Sequence, residues 1–246
     1  MEKQAIFDFK TKRSAALQAL YDGNKVKKRD KSKFVLSPSS LNIFRDCPRC
    51  FWLQVNCNIR RPRGAFPSIA SGLDRVIKEY FNTYRTREVL PPLLNGKIEG
   101  KLIPQLPPKL YFNDYAKNAS LMGMLDECLI LSGNIYAPLD YKTRGSFTED
   151  VHPAYQLQMD VYTLLLEKNN HKTNSLAYLL YFVPNTGKLH EGIPFNVKFM
   201  EVKTSIERAL DIFHKALELL RGQMPESSPN CEYCNWVKEL KENIKE

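Results

Sequence analysis

Between Gly123 and Thr143 the chain reads GMLDECLILSGNIYAPLDYKT, two short apolar runs at 128–131 and 135–139 separated by Ser132-Gly133-Asn134. Runs of strand length around such a turn composition predict a β-hairpin, which brings the chain back to its start. Asp126 heads the first run, and Asp140-Tyr141-Lys142 close the second. Pairing sets Asp126 beside Asp140, and period-two alternation puts Asp140 and Lys142 on one face and Tyr141 on the other. Elsewhere the period is helical. It predicts an amphipathic helix over 2–23, a capped helix over 37–57, a helix over 71–85, another over 152–169, and one over 203–222 that Gly222 and Pro225 stop. Strands are expected near 121–131, 134–143, 175–183 and 193–200, whereas 89–118, rich in proline and glycine, reads as loop or insertion. The order of elements gives an α/β domain over 37–246, preceded by an N-terminal helix and basic linker over 1–36.

Two carboxylates held side by side repel, and a divalent cation resolves the repulsion. Oxygen ligands of this kind suit Mg²⁺ or Mn²⁺, which leave positions open for phosphate. Lys142 on the same face is placed to orient or help deprotonate the attacking water, or to neutralise charge growing on a phosphate. On the following helix, YQLQMDVYTLLLE, Gln158 and Tyr162 lie four residues apart and share a face, with Gln156 half a turn away.

The pieces GMLD at 123–126, LDYKT at 139–143 and the Gln158/Tyr162 pair resemble the PD-(D/E)XK nucleases. Within them the similarity is to the RecB-like branch that holds the iron–sulfur exonucleases of CRISPR adaptation and the AddB-type nuclease domains. The resemblance implies a restriction-endonuclease-like core, a mixed central sheet flanked by helices. It implies Asp126 and Asp140 as metal ligands, the Tyr141 backbone carbonyl as a third, Lys142 as catalytic, and Gln158 and Tyr162 as positioning the scissile strand. Gln156 competes with Gln158 for that role. Family members carry a metal-ligating histidine on an early helix; the matching segment here is 70–81, and the aligned position is Asp74. Asp74 is either the replacing ligand or the cap of its helix. Glu79 is the fallback carboxylate, and none of the four histidines is proposed as a ligand.

Cys47-Pro48-Arg49-Cys50 and Cys231-Glu232-Tyr233-Cys234 make two CxxC pairs, enough for one tetrathiolate site tying the N- and C-terminal segments together. The same ligands suit Zn²⁺ or an iron–sulfur cluster. Resemblance favours a 4Fe-4S cluster, with Zn²⁺ as the alternative. The phrase from Ser37 to Arg49 is similar to the one around the N-terminal cluster cysteine of the RecB-like iron–sulfur nucleases. Those proteins supply one cysteine before the core and three after it; Cys50 here fills the place of the missing third. Cys57 is an alternative ligand, and Cys128 reads as a small core residue. No secretory signal is visible, so the cysteines are expected to be reduced and metal-bound rather than paired as disulfides.

At 246 residues and 43% hydrophobic the chain can bury a substantial core. Its apolar stretches are too short to span a bilayer, and Met1-Glu2-Lys3-Gln4 lacks the apolar run of a signal peptide, so no membrane partner and a cytoplasmic location are expected. A net charge of +9 favours a polyanionic partner. Basic runs at 25–33 and 60–63 flank the first CxxC, with Phe44, Phe51, Trp52 and Phe66 near them as candidate stacking or packing rings.

The sequence therefore predicts a Mg²⁺- or Mn²⁺-dependent deoxyribonuclease, an exonuclease on single-stranded DNA or DNA ends, serving CRISPR adaptation, DNA repair or phage replication. The alternative is a nuclease-fold DNA-binding or adaptor subunit, weak in catalysis, that recruits a protein partner within a DNA-processing complex.

Overall fold

A computed structural model of the chain describes residues 33–62, 64 and 68–243. The expected helix over 2–23, the basic run up to residue 32, Arg63 and Phe66 lie outside the described residues. The chain divides into two compact units: one holds the described residues up to Gly64 together with 115–119 and those from Ile212 onward, the other 68–114 and 120–211.

The second unit is built on a five-stranded mixed sheet of order β2-β5-β6-β7-β8, with β2 Lys101–Leu102, β5 Glu127–Leu131, β6 Ile135–Thr143, β7 Leu176–Pro184 and β8 Phe195–Lys203. The β5–β6 hairpin forms as expected, with Glu127 opposite Leu139 and Leu131 opposite Ile135. Gly133 and Asn134 take the positive φ values, 73° and 57°, that its tight turn requires. β6 and β7 run parallel, so the chain must cross over between them, and it does so through a helix, Pro153–Lys168. All other pairings in this sheet are antiparallel.

Alternation divides β6 between two environments. Ala137, Leu139 and Tyr141 join Ile77 and Phe81 of the helix Ser68–Arg85, with Leu129, Leu180 and Phe182, in one apolar core. Asp140 and Lys142 face the opposite way, toward Pro153–Lys168. That helix is buried without interruption from Met159 to Leu166, and two polar residues of the stretch are partnered, Asp160 by Arg208 and Tyr162 by Gln158.

The reading of 89–118 as loop needs correction. It contains β2 and also β3 Leu110–Asp114, which neighbours β4 Ala119–Gly123 in a second, small sheet. β2 is two residues long, yet its Leu102 pairs with Leu129 and is fully buried, so tertiary packing outweighs the local proline and glycine content. The stretch read as one strand near 121–131 is two, β4 and β5, parted at 124–126.

The described part of the first unit opens with β1 Phe34–Leu36 and the helical segments α1 Pro38–Asp46, α2 Pro48–Trp52 and a π-turn Leu53–Cys57. In chain order the remaining helices are α3 Ser68–Arg85, α4 Pro153–Lys168, α5 Ile206–Arg221 and α6 Glu232–Asn243. The continuous helix expected over 37–57 is broken at Cys47, which is extended at φ −151° and ψ 110°. Pro48 is the cause, because its ring disfavours helical backbone at the residue before it. Ser37 and Ser40 cap α1 reciprocally, each side chain accepting the other's backbone N–H. Trp52 Nε1 donates to Gly222 O at 3.3 Å and Asn56 Nδ2 to Leu220 O at 3.0 Å, fixing the segment after Cys50 against the end of α5. Among the described residues no helix is long and apolar enough to cross a membrane.

Candidate active site and cysteine centre

Asp126 lies one residue before the last hairpin pair, Glu127 with Leu139, and its side chain neighbours that of Asp140. Asp140 is fully buried, while Asp126 keeps 27% of its side-chain surface. Asp140 Oδ1 accepts from Gln158 Nε2 at 2.9 Å; its Oδ2 makes an ion-pair contact with Lys142 and no hydrogen bond. Burial, then the nearby negative charge of Asp126, push the Asp140 carboxyl up to about 7 against the opposing pull of Lys142. A carboxylate pair in which one member resists ionisation has an oxygen donor set suited to a hard divalent cation.

Gln158 is the hub on α4. Its Oε1 accepts from Lys142 Nζ at 3.0 Å, and its Nε2 donates to Asp140 and, at 2.9 Å, to Tyr162 Oη. Burial and the charge of Asp140 raise the Tyr162 hydroxyl above its ordinary range, so it stays a neutral phenol. Gly123 makes room for this ring: a Cβ there would meet Leu165 Cδ1 at 2.7 Å and Tyr162 Cε1 at 3.0 Å. The structure thus joins Asp126, Asp140, Lys142, Gln158 and Tyr162 in one cluster. Gln156 points elsewhere, donating to Asp160 Oδ1 at 3.0 Å and to Lys203 O at 2.9 Å. Asp160 is in turn gripped by Arg208 through two contacts of 2.5 and 2.6 Å.

Asp74 is linked to the cluster through Lys78, whose Nζ lies 2.9 Å from Asp74 Oδ2 and 3.4 Å from Asp126 Oδ1. Glu79 is exposed on the same helix. The lysine was not singled out in the sequence, although its i,i+4 spacing from Asp74 was visible there. A second group also went unremarked, beneath Asp126. Tyr141 Oη donates to Glu127 Oε1 at 2.8 Å and reaches the Asp126 carbonyl at 3.3 Å, while buried Glu127 pairs with Arg85, whose Nη1 donates to Ile103 O at 3.1 Å. The signal was a glutamate inside an apolar strand, a position that only a buried partner makes tolerable.

In the first unit, and separately, Cys47, Cys50, Cys231 and Cys234 bring all four Sγ atoms within 4.8 Å of one another. They are the one group of three or more His, Cys, Asp or Glu ligand atoms to converge in this way among the described residues. The Sγ–Sγ distances are 3.9 Å for Cys47 to Cys234 and 3.6 Å for Cys50 to both Cys231 and Cys234. Burial opposes ionisation of Cys47, but the backbone N–H groups of Cys50 and Ser228 outweigh it and bring the thiol down to about 6. Burial pushes Cys50 up to about 11 and raises Cys234 as well. Arg61, ion-paired with Asp46 at 2.5 Å, donates to Cys231 Sγ at 3.7 Å and supplies positive charge beside the sulfurs. Cys57 is half-buried and outside the group; Cys128 is buried in β5 with its thiol pushed up to about 12 by burial.

Residues 105–238 match the family model of the PD-(D/E)XK nuclease superfamily. No curated protein matches the sequence. Among solved structures, one titled "Crystal structure of SSO0001" aligns over 97% of this chain and 97% of that chain, at 13% identity and a TM-score of 0.44.

Proposed function

The chain belongs to the PD-(D/E)XK nuclease superfamily, and from that premise we propose that it is a metal-dependent deoxyribonuclease whose active site is Asp126, Asp140, Lys142, Gln158 and Tyr162. The observation that carries this reading is the buried carboxylate Asp140, facing Asp126 and held by both Gln158 and Lys142. A network that brings a second acid and a lysine onto a fully buried carboxylate is costly unless those groups work together.

Asp126, Asp140 and the Tyr141 carbonyl would hold Mg²⁺ or Mn²⁺, with Asp74 a further ligand once Lys78 releases it. Bound there, the ion would supply positive charge that relieves the two carboxylates and polarises a phosphodiester. Lys142, steered by Gln158 and Asp140, orients the attacking water and offsets charge on the phosphate. Gln158, itself held by the neutral Tyr162 phenol, keeps the lysine in place. The Gln158/Tyr162 helix supports placement in the RecB-like branch.

The four cysteines we assign to a single structural Zn²⁺. A zinc–sulfur bond of about 2.3 Å makes the edge of a tetrahedron about 3.8 Å long; three of the sulfur pairs lie 3.6–3.9 Å apart, close to that edge, and all lie within 4.8 Å. In a four-iron cluster each thiolate has its own iron, which holds the sulfurs farther apart.

One observation favours the adaptor reading: the Lys78 ammonium already neutralises Asp126 and Asp74. Incubation of end-labelled single- and double-stranded DNA with wild type and Asp140→Ala in Mn²⁺ separates the two. The nuclease reading expects a product ladder from wild type and its loss by about 10³-fold or more in the variant, in line with removal of a principal charge-stabilising group. Equal DNA binding by both proteins with no cutting by either would establish the adaptor.

A further inference from the structure

We propose that a row of aromatic and cationic side chains running from Lys142 to the β8 edge of the sheet is a stacking platform for single-stranded DNA; the proposal rests on the nuclease reading and adds the surface that receives the strand. The sheet register builds the row. Lys142 of β6 is the partner of Tyr181 of β7, and Tyr181 is the partner of Lys198 of β8, so the three stand side by side on the face that also carries Asp140. Buried Tyr181 is the floor, with Phe147 edge-on to it at 5.9 Å and Tyr155 at 6.4 Å. Lys142 Nζ lies 4.9 Å from the centre of the Tyr155 ring, and Lys198 Nζ lies 3.6 Å from that of Phe147. His152, exposed at the start of α4, extends the row with its ring 5.3 Å from Tyr155.

Two strand spacings of about 4.8 Å separate Lys142 from Lys198, so the row spans about 10 Å, the length of about three stacked nucleotides at roughly 3.4 Å each. Rings serving only as core packing have no need of an ammonium at each end. Cations beside half-buried aromatic rings match the alternation of phosphate and base along a single strand. In a duplex the base faces are already stacked on one another and cannot take up the rings. The row begins at Lys142, so a strand lying on it delivers its next phosphate to Asp140 and Asp126.

The test is fluorescence anisotropy in EDTA with a labelled oligo(dT) of about twelve nucleotides and a duplex of equal length, a span within the usual site sizes of single-strand binders. Wild type, Tyr155→Ala, Phe147→Ala and Tyr155→Phe are compared. The platform predicts that each alanine variant loses about 5- to 150-fold in oligo(dT) affinity, as expected for one stacked base. Tyr155→Phe, which keeps the ring, stays within about twofold, as does duplex binding by all four proteins. Wild-type affinity for oligo(dT) in both alanine variants would overturn the platform, as would an equal loss for the duplex. If Tyr155→Ala fails to fold, Phe147→Ala and Tyr155→Phe still decide. Failure of the nuclease reading looks different: wild type would bind oligo(dT) through these rings yet cut nothing in Mn²⁺. Cutting in Mn²⁺ by alanine variants that bind as wild type does would instead leave the nuclease standing and remove the platform.

Discussion

At Asp140, burial and the charge of Asp126 act against ionisation and Lys142 acts for it. The Asp140 carboxyl is raised from 3.8 to about 7, chiefly by loss of water. The folded state therefore holds a proton that the unfolded state has released, and between those two values the stability of the metal-free protein falls as pH rises. At full ionisation the penalty is on the order of 4 kcal/mol. In EDTA, Tm should drop between pH 5 and pH 8, Asp140→Asn should flatten that slope, and Mg²⁺ at pH 8 should raise Tm in wild type alone. A Tm profile identical in wild type and Asp140→Asn would show that this carboxylate is not strained. That Asp140 and Lys142 share a face was legible in the sequence because a nine-residue strand bounded by a turn fixes which side chains alternate together. Lys78 and Glu127 escaped notice because their roles depend on partners distant in sequence: Lys78 reaches Asp126 across 48 positions, and Glu127 meets Arg85 across 42.

Between β4 and α4 the separation is set by Gly123, whose missing side chain admits Tyr162 and Leu165. Gly123→Ala should therefore cost about 1–3 kcal/mol through overpacking, and should lower cleavage by moving the Tyr162 phenol off Gln158. Unchanged activity and Tm would mean that the helix relaxes freely. In the cysteine centre, Pro48 ends α1 at Cys47 and starts α2, so Cys47 is the N-cap of α2 and Cys50 stands in its first turn. The two CxxC spacings made a shared site legible, whereas its metal depends on sulfur separations that spacing does not encode. Purified protein should hold one zinc and be colourless. Cys50→Ser should lose the metal and about 3 kcal/mol or more of stability, roughly 6 °C or more in Tm. A brown protein containing iron would refute the zinc assignment.

For the whole molecule, the helices α3 and α4 and the strands β5 to β8 were legible as elements from the periodicities, whereas the mixed sheet that they flank was implied by the resemblance. The short β2 and β3 were not legible, because their burial comes from partners rather than from their own sequence. The net charge of +9 adds a sequence-independent attraction to phosphate. Affinity for oligo(dT) should fall steeply between about 50 and 200 mM salt, by about 300-fold if six phosphates of the single strand are contacted. The most direct test of the nuclease assignment is metal add-back. Wild-type protein is stripped with EDTA, given end-labelled single-stranded DNA, and then supplied with Mn²⁺ or Mg²⁺. The carboxylate pair requires that cutting be absent in EDTA and return with either ion. Cutting that persists in EDTA, or its absence when Mn²⁺ is bound, would contradict the assignment of Asp126 and Asp140 as a metal-dependent phosphodiesterase centre.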